Sequence, residues 1–180
     1  MAITQTNFKS DLSKVVSKDE LRPALTVVKF QNGYAYATDS HCLVKQSLKW
    51  MDFTDEDIAL LEGKALDIKA FKFIRKAKVI EVCEKHISVF IDGTKYNVEY
   101  SIHSTLKYPE ADAVIPLKET VSVEMMSIAK TNLMNLLSAM AFETNPIFEF
   151  HGAVKAVVVY DRIIGREKQI GIVMPCMINN

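Results

Sequence analysis

The chain has 180 residues, 49% of them hydrophobic and 24% charged, enough apolar material for a real core and too much for wholesale disorder. Lysine and arginine together number 22 and so do aspartate and glutamate, so any affinity for a polyanion must come from charge segregated onto one face. Cys42, Cys83 and Cys176 are odd in number and sit in apolar runs, which reads as reduced core thiols in a reducing compartment and speaks against a disulfide or zinc framework. There is no signal-peptide pattern and no apolar run near the ~18–20 residues of a membrane helix, so the expected location is cytoplasmic, with no membrane partner.

In chain order, Thr6 or Asn7 can cap a first helix, FKSDLSKVVSK, whose Phe8, Leu12, Val15 and Val16 fall on one face and whose outer face carries Lys9, Lys14 and Lys18. Arg22-Pro23 ends it. ALTVVKF (Ala24–Phe30), a turn at Asn32-Gly33 and YAYATD (Tyr34–Asp39) form a hairpin signature, and HCLVKQSL (His41–Leu48) reads as a third strand. Trp50–Lys64 holds Asp52, Asp55, Glu56, Asp57 and Glu62 and reads as a solvated surface connection with a short helical turn that ends at Gly63.

Ala65–Asp67 reads as a short strand leading into the chain's central element, DIKAFKFIRKAK (Asp67–Lys78), with Asp67 as N-cap. Ile68, Phe71 and Ile74 give this helix an apolar face. Lys69, Lys72 and Lys76 fall at i, i+3 and i+7 on a stripe away from it, with Arg75 nearby and no acid after the cap. Three alternating strands follow: VIEVCEK (Val79–Lys85), HISVFID (His86–Asp92) and KYNVEYSI (Lys95–Ile102), with a hairpin signal at Asp92-Gly93. A helix carried on a curved sheet with a bare cationic stripe is a surface suited to a polyanion.

His103–Pro116 is a crossing segment with two prolines. Thr120–Glu124 reads as a strand and Ser127–Met140 as a third helix, apolar at Ile128, Leu133, Leu136, Leu137 and Met140, with Lys130 on the opposite side. PIFEFHG, AVKAVVVYD and QIGIVMPCMI read as three more strands. The chain thus holds three copies of one theme, a helix followed by three strands, spaced by roughly 50–60 residues and preceded in two copies by a short strand. The expected fold class is α+β.

Asp39 and His41 can share a face, which would suit a metal or an acid–base pair, but no third ligand or nucleophile stands at a supporting spacing. His86, His103 and His151 show no ligand spacing and read as surface or strand-end residues. No glycine-rich phosphate loop, metal cluster or nucleophile constellation is present, so no catalytic residue, metal or cofactor is expected.

Three segments resemble one family, the sliding clamps, and in particular the beta subunit of bacterial DNA polymerase III. ALTVVKF…YAYATDSHCL (Ala24–Leu43) resembles the clamp segment in which an L-x-x-V strand leads by a hairpin into A-T-D-G-H-R-L. KYPEADAVIP (Lys107–Pro116) resembles F-P-D-Y-x-x-V-x-P, and IGIVMPCMI (Ile170–Ile178) resembles Y-V-V-M-P-M-R-L. Ser40 stands where glycine is usual, Cys42 where arginine is, and Cys176 in place of a methionine; Ile178 with a short Asn tail replaces the usual ending.

The resemblance implies the DNA clamp fold, built from βαβββ units: residues 1–116 as one complete domain of two units, most like the middle one, and 117–180 as half of the last domain. It implies a groove for a short polymerase peptide at Leu25, Thr38, Ser40, His41, Cys42, Leu43, Pro116, Val173, Met174, Pro175, Cys176 and Met177. It makes the cationic helices, with Lys14, Lys18, Lys69, Lys72, Arg75, Lys76 and Lys130, a non-specific contact for duplex DNA in a processivity factor. Each of Leu25, Val173 and Met174 also reads as an ordinary core strand residue, and the lysines as a solvated face. Three units cannot close a ring as a dimer, so a dimer through the incomplete unit at 117–180, or a tetramer of two such dimers, is expected. The alternative is a clamp-fold adaptor or decoy that does not encircle DNA.

Overall fold

The computed structural model describes residues 3–5, 8–117 and 119–177. Thr6, Asn7 and Ile178, named above as caps and tail, lie outside these residues. Two antiparallel sheets form the scaffold. The first runs β1 (Ile3–Gln5), β6 (Val79–Val82), β7 (His86–Ile91), β8 (Thr94–Glu99). The second has seven strands in the order β5 (Ala65–Asp67), β2 (Val27–Gln31), β3 (Tyr34–Thr38), β4 (Cys42–Ser47), β11 (Gln169–Val173), β10 (Val157–Asp161), β9 (Pro146–Glu149). The hairpin signals hold: Asn32 and Gly33 have φ 53° and 76°, Asp92 and Gly93 49° and 78°, the left-handed pairs that a two-residue hairpin loop demands. Each short leading strand crosses to the other unit's sheet, β1 onto β6 and β5 onto β2.

The seven-stranded sheet joins the first and third helix-plus-strands themes. β4 and β11 pair antiparallel, with Leu43 opposite Ile172 and Cys42 opposite Val173. Strand alternation then sorts the side chains onto two faces. Val44, Val157, Val159 and Val173 point to a large core with Leu12, Phe71, Ile74, Leu136 and Met140. Leu43, Val158, Ile170 and Ile172 point the other way, into a smaller core closed by Leu25, Tyr36 and Tyr108. Each fully buried Phe or Ile in the large core contributes about 1.5–3 kcal/mol of transfer free energy.

Helix α2 (Ile68–Ile74) packs on β2, β5 and β8, and α3 (Lys130–Ala139) on β4 and β11. Gly171 permits the second approach, because a Cβ there would meet Met140 Sδ. The apolar side of α3, expected to need cover from a second copy, is covered by the chain's own sheet and by Leu12.

Several expectations are corrected. The helix over 8–18 is a single 3-10 turn, Leu12–Lys14. Leu12, Val15 and Val16 are buried and Phe8 half-buried against the same core, but neighbours take up the backbone: Asp11 N donates to Ala139 O at 2.8 Å and Ser17 N to Leu25 O at 3.0 Å. Ser13 Oγ donates to Asp11 Oδ1 at 2.6 Å, and Ser10 Oγ to Gln169, so the serines compete with helix formation. The central helix stops at Ile74, where Lys76 N and Ala77 N close back to Phe73 O and Ile74 O in tighter turns. Asp67 gives no side-chain cap; its carboxylate accepts from Ser101 Oγ at 2.6 Å.

Trp50–Lys64 is no solvated linker. It contains α1 (Asp55–Leu61), started by a Thr54–Asp57 capping box worth about 1 kcal/mol, and it buries Met51, Phe53 and Leu61. Thr120–Glu124 forms no strand among the described residues; Val121 N only donates to Phe150 O at 2.8 Å. The themes preceded by a short strand are therefore the first and second. The third helix starts at Lys130, three residues past Ser127, which makes an isolated bridge with Cys176.

Candidate functional site

The loop between β3 and β4 is built by its own side chains. Asp39 Oδ1 accepts from His41 N at 2.9 Å and Cys42 N at 2.8 Å, while Thr38 Oγ1 donates to Cys42 O at 2.6 Å and accepts from Ser40 N at 3.1 Å. These bonds account for Asp39 as a turn-former. Among the described residues no group of three His, Cys, Asp or Glu could hold a metal ion. Ser40 takes φ 80°, a conformation that suits glycine, and its hydroxyl accepts from Arg22 Nη1 at 2.7 Å. The end of β11 is tied to this loop through Met174 N donating to His41 O at 2.9 Å.

A groove of about 170 Å³ opens here, lined by Leu25, Thr38, Ser40, His41, Cys42, Leu43 and Met174. Seven of the twelve groove residues named from the sequence thus meet in one hollow. Val173 is not among them: it is fully buried and faces the helices, and Ile172, on the other face of the strand, lines the groove instead. Pro116 lines an adjoining hollow with Leu117, Val154, Ala156 and Met174, which both hollows share. Pro175, Cys176 and Met177 line neither; past Met174 the chain turns away, and Cys176 N donates to Ser127 O at 2.7 Å.

The opposite wall was not legible in the sequence. It is Pro109, Glu110, Ala111 and Val114, from the crossing segment and its 3-10 turn at Ala111–Val114. Asp112 fastens this turn to the sheet by accepting from Tyr36 Oη at 3.1 Å and from Lys45 Nζ at 2.7 Å. Burial, helped by Asp112, raises the Tyr36 phenol, so it stays a donor at neutral pH. The hints were the turn-forming Pro-Glu-x-Asp composition and the resemblance of Lys107–Pro116 to a clamp segment, from which only Pro116 was assigned to the groove.

The cysteines do not share one environment. Cys42 is buried, its Sγ 3.2 Å from Asn132 O, and burial with the Asp39 charge pushes its thiol up to about 12. Cys83 is half-buried and Cys176 exposed, so the reading of all three as core thiols is corrected. At pH 8 iodoacetamide is expected to modify Cys176 at least about 100-fold faster than Cys42, scored by peptide mass spectrometry. Equal rates would contradict the burial of Cys42. His151, read as a surface or strand-end residue, lies two residues past the end of β9 and has a buried side chain 3.8 Å from Glu149.

The groove lies on the face of the seven-stranded sheet away from α2 and α3, and the cations lie on the helical side. Lys14, Lys18, Lys69, Lys72, Lys76 and Lys130 are all exposed, and among the described residues none has an ion-pair partner. Arg75 is not part of that free set: it is half-buried and its Nη1 pairs with Asp11 Oδ1 at 3.0 Å. No helix among the described residues is long and apolar enough to cross a membrane.

Two sheets with crossed leading strands, helices on one side and strands continuous from unit to unit are the DNA clamp fold, an α+β architecture, and the chain has it. Among solved structures it is similar to the DNA polymerase III subunit beta sliding clamp of Bartonella birtlesii, bound to griselimycin, at TM-score 0.70 and 14% identity, covering 93% of this chain and 63% of that one. It is also similar to the DNA polymerase sliding clamp of Bacillus subtilis (0.67, 13%, covering 98% and 64%) and to DNA polymerase III subunit beta of Borrelia burgdorferi, in complex with a natural product (0.69, 12%, covering 99% and 63%). The chain thus spans about 63% of the length of these neighbours. No protein-family model and no curated protein matches the sequence.

Proposed function

We propose that the chain is a non-enzymatic, sliding-clamp-like DNA-associated protein, a processivity factor that holds a DNA polymerase by a short peptide in the groove and rests its cationic helices on duplex DNA. The observation that carries this reading is the groove itself. Residues from distant parts of the chain, the Thr38–Leu43 segment and Ile172 with Met174, converge with the Pro109–Val114 wall into one mostly apolar hollow with a few polar groups in its lining. Met174 and Val114 are its exposed apolar surfaces, Met174 the adaptable one. The free lysines would contact phosphates without reading bases, which gives weak, sequence-independent and salt-sensitive binding. In this reading residues 1–116 form a complete clamp domain and 117–180 a half domain, working in the cytoplasm.

The test uses a fluorescein-labelled clamp-binding peptide of a bacterial polymerase, followed by fluorescence anisotropy. Met174→Asp together with Val114→Asp places two charges in the hollow at exposed positions, so the fold is retained while affinity falls by at least about 30-fold. A wild-type protein with no affinity at high micromolar peptide would sink the groove reading. Peptide binding without any DNA retention would make the protein an adaptor.

A further inference from the structure

The outer edge of β8 has no strand partner among the described residues. Thr94, Lys95, Tyr96, Asn97 and Glu99 are exposed along it, and only Val98 is half-buried. An open edge five to six residues long is a template for another strand, and its sequence decides whether that strand can be a copy of itself.

The hairpin sets which backbone groups are free. Ile91 and Thr94 flank the two-residue Asp92-Gly93 loop and are the closing pair of the β7–β8 ladder. In such a hairpin the closing pair is hydrogen-bonded and the pairs alternate from there. Thr94, Tyr96 and Val98 therefore direct their N–H and C=O groups to β7, while those of Lys95, Asn97 and Glu99 point outward. No other described segment receives these outward N–H groups.

We infer that β8 pairs antiparallel with β8 of a second copy about a two-fold axis through Asn97. In that register Lys95 stands opposite Glu99 of the copy and Glu99 opposite its Lys95, while Tyr96 stands opposite Val98. The K-Y-N-V-E run is self-complementary in charge and in shape, and all three outward residues form hydrogen-bonded pairs with their counterparts. Any other in-phase antiparallel register loses both Lys–Glu pairs; shifted by two residues, it sets Lys95 against Asn97. Lys95 is already held in place by Glu81 Oε2 at 3.0 Å, and Asn97 by Ser88 Oγ at 3.1 Å, so both point to the same side of the sheet before pairing. Glu99 has no ion-pair partner among the described residues.

The pairing merges two four-stranded sheets into one. The axis is perpendicular to that sheet, so both copies keep the same side up. Phe73 of α2 packs edge-on against Tyr96, at 5.5 Å between centroids, so the two α2 helices lie on the same side of the merged sheet. Lys69, Lys72 and Lys76 of both copies then share one surface, which completes the cationic face of the proposed function, on which this last step rests.

Sedimentation velocity of the full chain without DNA tests the pairing. The expected species at micromolar concentration has twice the 20.3 kDa chain mass. Asn97→Pro removes an outward N–H and no backbone bond to β7, at the cost of the side-chain bond from Ser88, so it should keep a cooperative circular dichroism melt and raise the dimer dissociation constant by at least about tenfold. Glu99→Lys sets two lysines against each other and should do the same. A monomer at all concentrations up to about 100 µM, or a dimer insensitive to both substitutions, overturns the inference. A dimer that forms as described but does not retain DNA overturns the DNA reading and leaves the pairing standing.

Discussion

Reversing Lys69, Lys72 and Lys76 to glutamate is expected to abolish retention of the protein on duplex DNA at low salt while leaving its thermal midpoint unchanged. The three side chains are exposed and, among the described residues, engage no carboxylate, so the fold loses no contact when they are replaced. For DNA the change is large, since three phosphate-neutralising charges become three repelling ones. A loss of at least about 100-fold in apparent affinity is expected, with a flatter dependence of binding on salt. Arg75 is deliberately spared, because its bond to Asp11 ties α2 to the 3-10 turn and its loss would act through folding. Filter binding or anisotropy with a random-sequence duplex gives the readout. Unchanged retention of the triple variant would remove α2 from the DNA surface.

Asp161→Asn is expected to lower the melting temperature by roughly 10 °C, the largest stability effect foreseen for a single polar substitution here. The side chain sits at the end of β10. One oxygen accepts from Glu143 N at 2.9 Å, Thr144 N at 2.6 Å and Thr144 Oγ1 at 3.0 Å; the other accepts from Ile163 N at 2.7 Å and Ile164 N at 3.0 Å. One carboxylate thereby joins the loop after α3 to the turn that leads into β11, the strand that carries Ile172 and Met174 to the groove. Burial alone would raise its pKa, but the donors outweigh it and hold the group at about 2, below the ordinary aspartate value near 3.9. A lowered folded-state pKa contributes stability that is full above about pH 4 and is lost as pH falls toward about 2. Melts across that window should show the loss in the wild type and not in the variant. Parallel acid profiles would show that Asp161 is not the linkage.

Much of the local structure was legible because its causes are local. Asn32-Gly33 and Asp92-Gly93 force left-handed backbone, and VIEV, HISVFI and YAYAT read as strands from β-branched and aromatic residues in short runs, although YAYAT is buried on both faces, Ala35 and Ala37 in the large core and Tyr36 in the smaller one. The 8–18 segment failed for the opposite reason. Its apolar residues repeat with helical spacing and pack inward, yet Leu25 O just beyond the segment and Ala139 O, Gln169 and Arg75 far along the chain supply partners that a helix would otherwise have provided. No periodicity records such a competition.

The groove divides along the same line. By itself the sequence determined a strand ending at Asp39 and another starting at His41, hence a tight connection at Ser40; that Thr38 and Asp39 build it by bonding the backbone two to four residues on emerges only in the structure. Which side of β11 meets that loop was decided by tertiary structure. Val173 and Ile172 are both apolar, and only the β4–β11 register turns Val173 to the helices and Ile172 to the groove. The Pro109–Val114 wall depends on Asp112 finding Tyr36 and Lys45 across the sheet. Backbone pairing between strands distant in sequence uses the same N–H and C=O groups in every residue, so it leaves no mark on the residues that make it. Turn chemistry and burial period are written residue by residue; partnership between distant strands is settled only when the whole chain has packed.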